Sequence, residues 1–191
     1  MVMAEPVANW TNVRGNDLLR LSYNNAEKHC STLQHLILLD MFKNHKEVST
    51  LFKANILERS VHSSIHVFAK YLNTLGHISD LEHEVLLKYY NWMANQIGLD
   101  CNVDLIIYLK ASPEICHMRL QKRGRSAEQN VGLDFLRGLE RDLESWLHKQ
   151  NLAPVITIDS SMELADCRVT YSKIHDCLVN LRDPQKICAQ F

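Results

Sequence analysis

Apolar residues recur along this chain in two distinct periods. Three short runs are dense in aliphatic and β-branched residues: "KANILE" (53–58), "VDLIIYLKA" (103–111) and "PVITID" (154–159). The second is almost continuously apolar, as expected of a strand buried on both faces of a parallel sheet. Between these runs the period lengthens. Val61, Ile65, Phe68 and Leu72 fall on one helical face. Ser79 and Glu82 form a capping box that predicts a helix carrying Val85, Tyr89, Trp92 and Met93, with Gly98 to close it. Ser112-Pro113-Glu114 reads as another helix start, with an N-cap, a proline at N1 and an acid in the first turn. Leu133, Leu136, Leu139, Leu143 and Leu147 mark a further amphipathic helix. A last helix is expected over 161–181, followed by a tail, 182–191.

Strands that alternate with long helices predict an open, helix-rich α/β sheet, doubly wound and parallel. Ligands in such sheets bind beyond the carboxyl ends of the strands. Three places qualify: Glu5, at an apparent strand end in "MVMAEPVANW"; Glu58-Arg59 after "KANIL"; and the loop after "VDLIIYLKA".

Composition narrows the class. The 191 residues are 46% hydrophobic and 23% charged, ordinary for one globular domain with a core of its own. A net charge of -1 gives no global field to draw nucleic acid or anionic lipid, so neither partner is expected. No apolar run is long enough to span a bilayer. Neither a signal peptide nor a transit peptide is visible, and the six scattered cysteines contain no C-x-x-C pair. An intracellular protein is expected, cytoplasmic or mitochondrial. Ten histidines supply no ligand spacing; "HISDLEHE" reads as a solvated helix start.

Two segments carry chemistry. In "LERSVHSS", a planar Arg59 at the sheet's ligand edge suits phosphate, and Glu58 suits Mg2+, directly or through water. A surface ion pair at a helix start is the other reading. "RLQKRGRSAEQ" (119–129) holds four cations in seven residues, with Arg119 and Arg123 on one helical face and Gly124 to break the helix. Mobile arginines that close over a phosphoryl group fit it. A solvated basic helix end also fits it.

Taken with "EPVANWTNVRG", "LQHLILLDM", "VDLIIYLKASPEICHMRLQKRGRSAEQ" and "LESWL", these segments make the chain resemble the deoxynucleoside kinase family, nearest its mitochondrial thymidine-type and broad-specificity insect branches. The resemblance reaches to about Asp159. It implies the P-loop nucleoside and nucleotide kinase fold over 1–181, with ATP and Mg2+ as cofactors and a deoxynucleoside as substrate. By position, Glu5 is implied as the base for the sugar 5'-hydroxyl. The resemblance likewise implies that Trp10 and Phe68 hold the base ring, that Gln34 pairs with its edge, and that Ile37 and Met41 line the pocket. Tyr23 and Glu128 grip the 3'-hydroxyl. Glu58 is linked indirectly to Mg2+, Arg59 faces phosphate, and Arg119, Arg123 and Arg125 form the lid. Family dimerisation through shared helices implies a homodimer or a dimer with a full-length relative.

The sequence also departs from the family. Ser64, Ile65 and His66 stand where the family has Ala or Asp, then Arg and an aromatic. A small Ser64 leans toward pyrimidine deoxynucleosides, thymidine first. None of the six glycines begins or completes G-x-x-x-x-G-K-[ST], so the phosphate loop and its strand are expected to be absent. In the family that strand lies between those matching 53–58 and 103–111, which would be left with unpaired inner edges. A positioned base contributes about 10^2 to 10^4 in rate. Losing one electrostatic donor costs about 10^2 to 10^3. An N-terminally truncated, impaired kinase is therefore expected. A non-catalytic nucleoside-binding or dimer-partner protein is the alternative. A phosphotransferase for another small substrate, such as a nucleoside monophosphate, fits Gln34 and Glu128 less well.

Overall fold

The computed structural model describes residues 1–48, 51, 52, 54–96, 98–162, 172, 174, 175 and the backbone of 185–190. Its elements are β1 (Val2–Met3), α1 (Val7–Thr11), α2 (Leu18–Asn24), α3 (Ala26–Lys46), β2 (Ala54–Glu58), α4 (Val61–Ser63), a π-helical stretch (Ser64–Ala69), α5 (Lys70–Thr74), α6 (Asp80–Ala94), β3 (Leu105–Lys110), α7 (Pro113–Arg123), a 3-10 turn (Ser126–Glu128), α8 (Leu133–Lys149), β4 (Val155–Asp159) and β5 (Gln185–Gln190). The expected helix over 161–181 lies largely outside the described residues.

All strand pairs are parallel, in the order β1-β2-β5-β3-β4. One expectation is corrected here. Gln185–Gln190, read as part of a tail, is a strand, and β2 and β3 do not face each other with open edges. Ile56 registers with Ile187 on one side of β5, and Leu105 with Ile187 on the other. The physical reason is backbone pairing. Buried N–H and C=O groups on two facing parallel edges require partners, and "QKICAQ" supplies a backbone ladder for both.

Local signals in the sequence account for the helix ends. Ser79 and Glu82 form the capping box of α6. Ser112 caps α7 with Pro113 at its first position, and Gly124 ends that helix in the left-handed conformation (φ 67°). The α6 helix stops at Ala94, before Gly98. The expected helix from Val61 is interrupted by its π-helical stretch, which changes the phase of the buried face. Ile65 thereby enters the core beneath α3 and α6, with Leu38, Phe42 and Leu86. Val67, two residues on, enters the core between the sheet and α8, with Ile106, Tyr108 and Leu143. Departures of this kind cluster at functional sites.

Buried polar groups in this region are paired. His62 Nε2 donates to the Cys101 carbonyl (2.6 Å), and Nδ1 accepts from the Tyr90 hydroxyl (2.7 Å). Burial lowers the His62 pKa and so favours the neutral ring, in which Nδ1 is the acceptor. Ile65 is fully buried and His66 meets the Tyr90 ring edge-on at 5.3 Å, so both departures from the family pattern are packed positions.

Candidate active site

The carboxyl ends of β1, β2, β3 and β4 open on one cavity of about 630 Å3. Glu5 arrives two residues after β1, and Glu58 and Arg59 at the end of β2. Ala111 follows β3 and Ser160 follows β4; all five line the cavity. Helix α3 contributes Cys30, Leu33, Gln34 and Ile37, spaced as one helical stripe.

The strand ends form a tight polar cluster. The Glu58 Oε2 accepts the Glu5 backbone N–H at 2.9 Å, which fixes the loop after β1 against β2. Arg59 Nε lies 3.1 Å from Glu5 Oε1. The N–H is not aimed at the oxygen, so this is a charge contact, and Glu5 Oε1 keeps an unused acceptor site. Burial raises the Glu5 pKa above the ordinary carboxylate range; Arg59 opposes this, and the Glu58 charge adds to it. Arg59 has φ 64°, a conformation that costs a non-glycine residue. Its guanidinium sits 3.8 Å over the Phe68 ring, a cation–π contact that holds it in place.

The residues that the resemblance assigns to a nucleoside meet in the same cavity. Trp10, Tyr23, Gln34, Ile37, Phe68 and Glu128 all line it. Gln34 is 4% exposed, and its Oε1 finds no partner among the described residues. A buried amide oxygen left open in a cavity wall is a ready site for a ligand donor. Burial pushes the Tyr23 hydroxyl up to about 12, with the Glu128 charge next in effect.

Two expected lining residues lie elsewhere. Met41 is 1% exposed in the core beneath α3 and is not part of the cavity wall. Ser64 is fully buried, and its hydroxyl donates to the Ser60 carbonyl at 3.1 Å within the helix.

The cationic segment divides in use. Arg123 and Arg125 reach the same carboxylate, Glu128, at 2.5 and 3.2 Å. Arg119 instead donates to the Ser160 and Met162 carbonyls (2.7 and 2.9 Å), tying α7 to the loop after β4 while still lining the cavity. Sequence reasoning missed Tyr71 and Phe135, whose rings pack 5.3 Å apart in the far wall. It also missed Asp40, which accepts from Trp10 Nε1 at 3.1 Å. The available signal for Asp40 was an acid inside the apolar run "LILLDMF".

For Mg2+, the donor set fits an ion that keeps most of its waters and takes phosphate oxygens. Glu58 offers a carboxylate oxygen, and no group of three metal-ligating side chains occurs among the described residues. Among these residues, no helix is long and apolar enough to cross a membrane.

The sequence profile of the deoxynucleoside kinase family matches residues 1–181. Mitochondrial thymidine kinase 2 from Homo sapiens is 36% identical over 165 residues, covering 83% of this chain and 60% of that protein. A probable deoxycytidine kinase of Fowlpox virus is 35% identical over 170 residues, covering 86% and 70%. Human deoxycytidine kinase is 30% identical over 195 residues, covering 86% and 75%. The chain thus spans about 60% of the length of the mitochondrial thymidine kinase it matches.

Proposed function

The chain belongs to the deoxynucleoside kinase family, and from that premise we propose that its cavity binds a pyrimidine deoxynucleoside, thymidine first, and presents the 5'-hydroxyl to Glu5 for phosphoryl transfer from ATP. The observation that carries this reading is the convergence of Glu5, Arg59, Gln34, Trp10, Phe68 and Glu128 on one cavity at the carboxyl ends of the strands. Trp10 and Phe68 offer the base apolar faces, and Gln34 offers its open carbonyl to a ring N–H. Tyr23 and Glu128 serve the 3'-hydroxyl. Glu5, whose pKa burial raises, takes the 5'-hydroxyl proton. Arg59 faces the phosphoryl group. Arg123 and Arg125 turn from Glu128 toward phosphate as the segment after Gly124 moves. Glu58 would hold Mg2+, which neutralises charge on the phosphates.

The 191 residues contain no G-x-x-x-x-G-K-[ST]. We therefore expect this polypeptide to transfer phosphate weakly, because the motif that would cradle the triphosphate is not in these residues. A second reading, nucleoside binding without turnover by a dimer partner, is supported by β5. That strand fills the slot between β2 and β3. Exposed Leu81, Val85 and Trp92 on α6 suit burial against another copy or a full-length relative.

Calorimetry with thymidine, paired with a transfer assay in thymidine and Mg-ATP, separates the readings. Binding with slow turnover is expected. No binding of any deoxynucleoside refutes the function; turnover at a full-length relative's rate refutes the impairment.

A further inference from the structure

Asp40 belongs to none of the roles above, yet it is 2% exposed and accepts three hydrogen bonds. Its Oδ2 receives Trp10 Nε1 (3.1 Å) and Asn9 Nδ2 (3.2 Å), and its Oδ1 receives Lys43 Nζ (2.9 Å). On α3, Asp40 lies one turn beyond Ile37, continuing the stripe whose earlier members line the cavity. The indole spans the distance between the two, with its ring in the cavity wall and its N–H on the carboxylate.

We propose that Asp40 is a positioning residue for nucleoside binding: it fixes which way the Trp10 ring is turned and holds α1 against α3. The inference rests on the functional reading above. Two physical points carry it. An indole has a single donor, and a ring in a near-symmetric site can settle in two flips about its outer torsion; a buried acceptor on one side selects one. The α1 helix has five residues and no side-chain cap, so its own turns do not hold it in place. Its polar tethers to α3 are the Asn9 and Trp10 bonds to Asp40. Glu5, by contrast, is tied separately to β2 through Glu58. Loss of Asp40 should therefore disturb the base wall and spare the base catalyst.

The test uses the full chain with thymidine as probe. D40A should weaken binding about tenfold, the loss expected for one oriented buried hydrogen bond. D40N keeps an acceptor for the indole and should stay within about threefold. W10F removes the same bond from its other end, and D40A/W10F should bind no worse than W10F alone. Any measurable turnover should show a raised KM with kcat within about twofold. A folded D40A with wild-type affinity overturns the proposal, as does a double variant whose losses simply add. Should D40A fail to fold, the D40N and W10F pair decides: affinity retained in D40N and weakened in W10F supports it, and equal behaviour refutes it. The Trp10 indole N–H resonance, assigned by its loss in W10F, needs no ligand. If the wild type binds no nucleoside, the functional reading fails, while a Trp10 resonance that shifts in D40A still supports the positioning role and an unmoved one refutes it.

Discussion

At the scale of single residues, Glu5 makes the sharpest demand. A carboxylate whose pKa is raised mainly by burial holds its proton longer as pH rises. Transfer should therefore fall on the acid side with an apparent pKa above the ordinary glutamate value of about 4.3, visible in a pH profile of kcat/KM. The stability consequence has the same sign. The folded state binds this proton more tightly than the unfolded chain, so the stabilisation from protonated Glu5 is complete below the unfolded pKa. It is lost as pH rises through the folded one. Against E5Q, which cannot titrate, the wild type should lose relative stability from acid toward neutral pH in denaturant titrations. E5Q should also lose about 10^2 to 10^4 in transfer rate while thymidine affinity stays within a few fold. Gln34 is the second such residue. Its open, buried Oε1 predicts that Q34L weakens thymidine binding by about 1–3 kcal/mol, read by calorimetry, without lowering the melting temperature, because no protein partner is orphaned.

At the scale of elements, two contacts organise the site. Gly138 on α8 lies directly under the Tyr71 ring of α5; a methyl built there collides with the hydroxyl and the ring. In an exposed helix, Gly to Ala gains about 1 kcal/mol. Here overpacking should cost about 1–3 kcal/mol. G138A should therefore lower the melting temperature of the wild type and raise that of Y71A, where the ring is gone. Equal effects in the two backgrounds would mean that the ring does not need the notch. The second contact is β5. Removing 185–191 would strip partners from both β2 and β3, leaving two ladders of backbone groups open in the sheet's middle. Amide exchange across 54–58 and 105–110 should then lose its protection. Protection that survives the deletion would show that β5 does not hold the sheet together. These elements were unequally legible. The caps at Ser79 and Ser112, the αL break at Gly124 and the strands at β2, β3 and β4 are local signals, and the structure has them where the sequence placed them. The π-helical stretch and the role of 185–190 depend on distant partners. One arises where a helix serves two cores, the other where a strand fills a slot between two others, and neither leaves a mark in its own residues.

At the scale of the whole molecule, the site falls into two halves of unequal completeness. The residues assigned to the nucleoside came from the family resemblance, position by position, and Trp10, Tyr23, Gln34, Phe68 and Glu128 share one cavity. Met41 and Ser64, assigned by the same carry-over, lie in the core just behind the cavity wall, because a position matched by resemblance does not fix which way its side chain packs. On the phosphate side, the arginines are already engaged: Arg59 by Glu5 and Phe68, Arg123 and Arg125 by Glu128, Arg119 by two carbonyls. A triphosphate would have to break these contacts, and the 191 residues hold no G-x-x-x-x-G-K-[ST] to offset that, whereas the proposed nucleoside meets an open Gln34 and aromatic walls. Ligands that bind only the folded state raise stability by mass action, about 2.7 kcal/mol at a hundredfold excess over Kd. For a chain of this size each kcal/mol is about 2–4 °C. Thymidine at such an excess should therefore raise the melting temperature by roughly 5–10 °C. Mg-ATP at millimolar concentration should move it by about a degree or less, and by more once E128Q has released Arg123 and Arg125 from their shared carboxylate. A Mg-ATP shift as large as that of thymidine in the wild type would mean that the phosphate half is complete after all, built from residues other than these arginines.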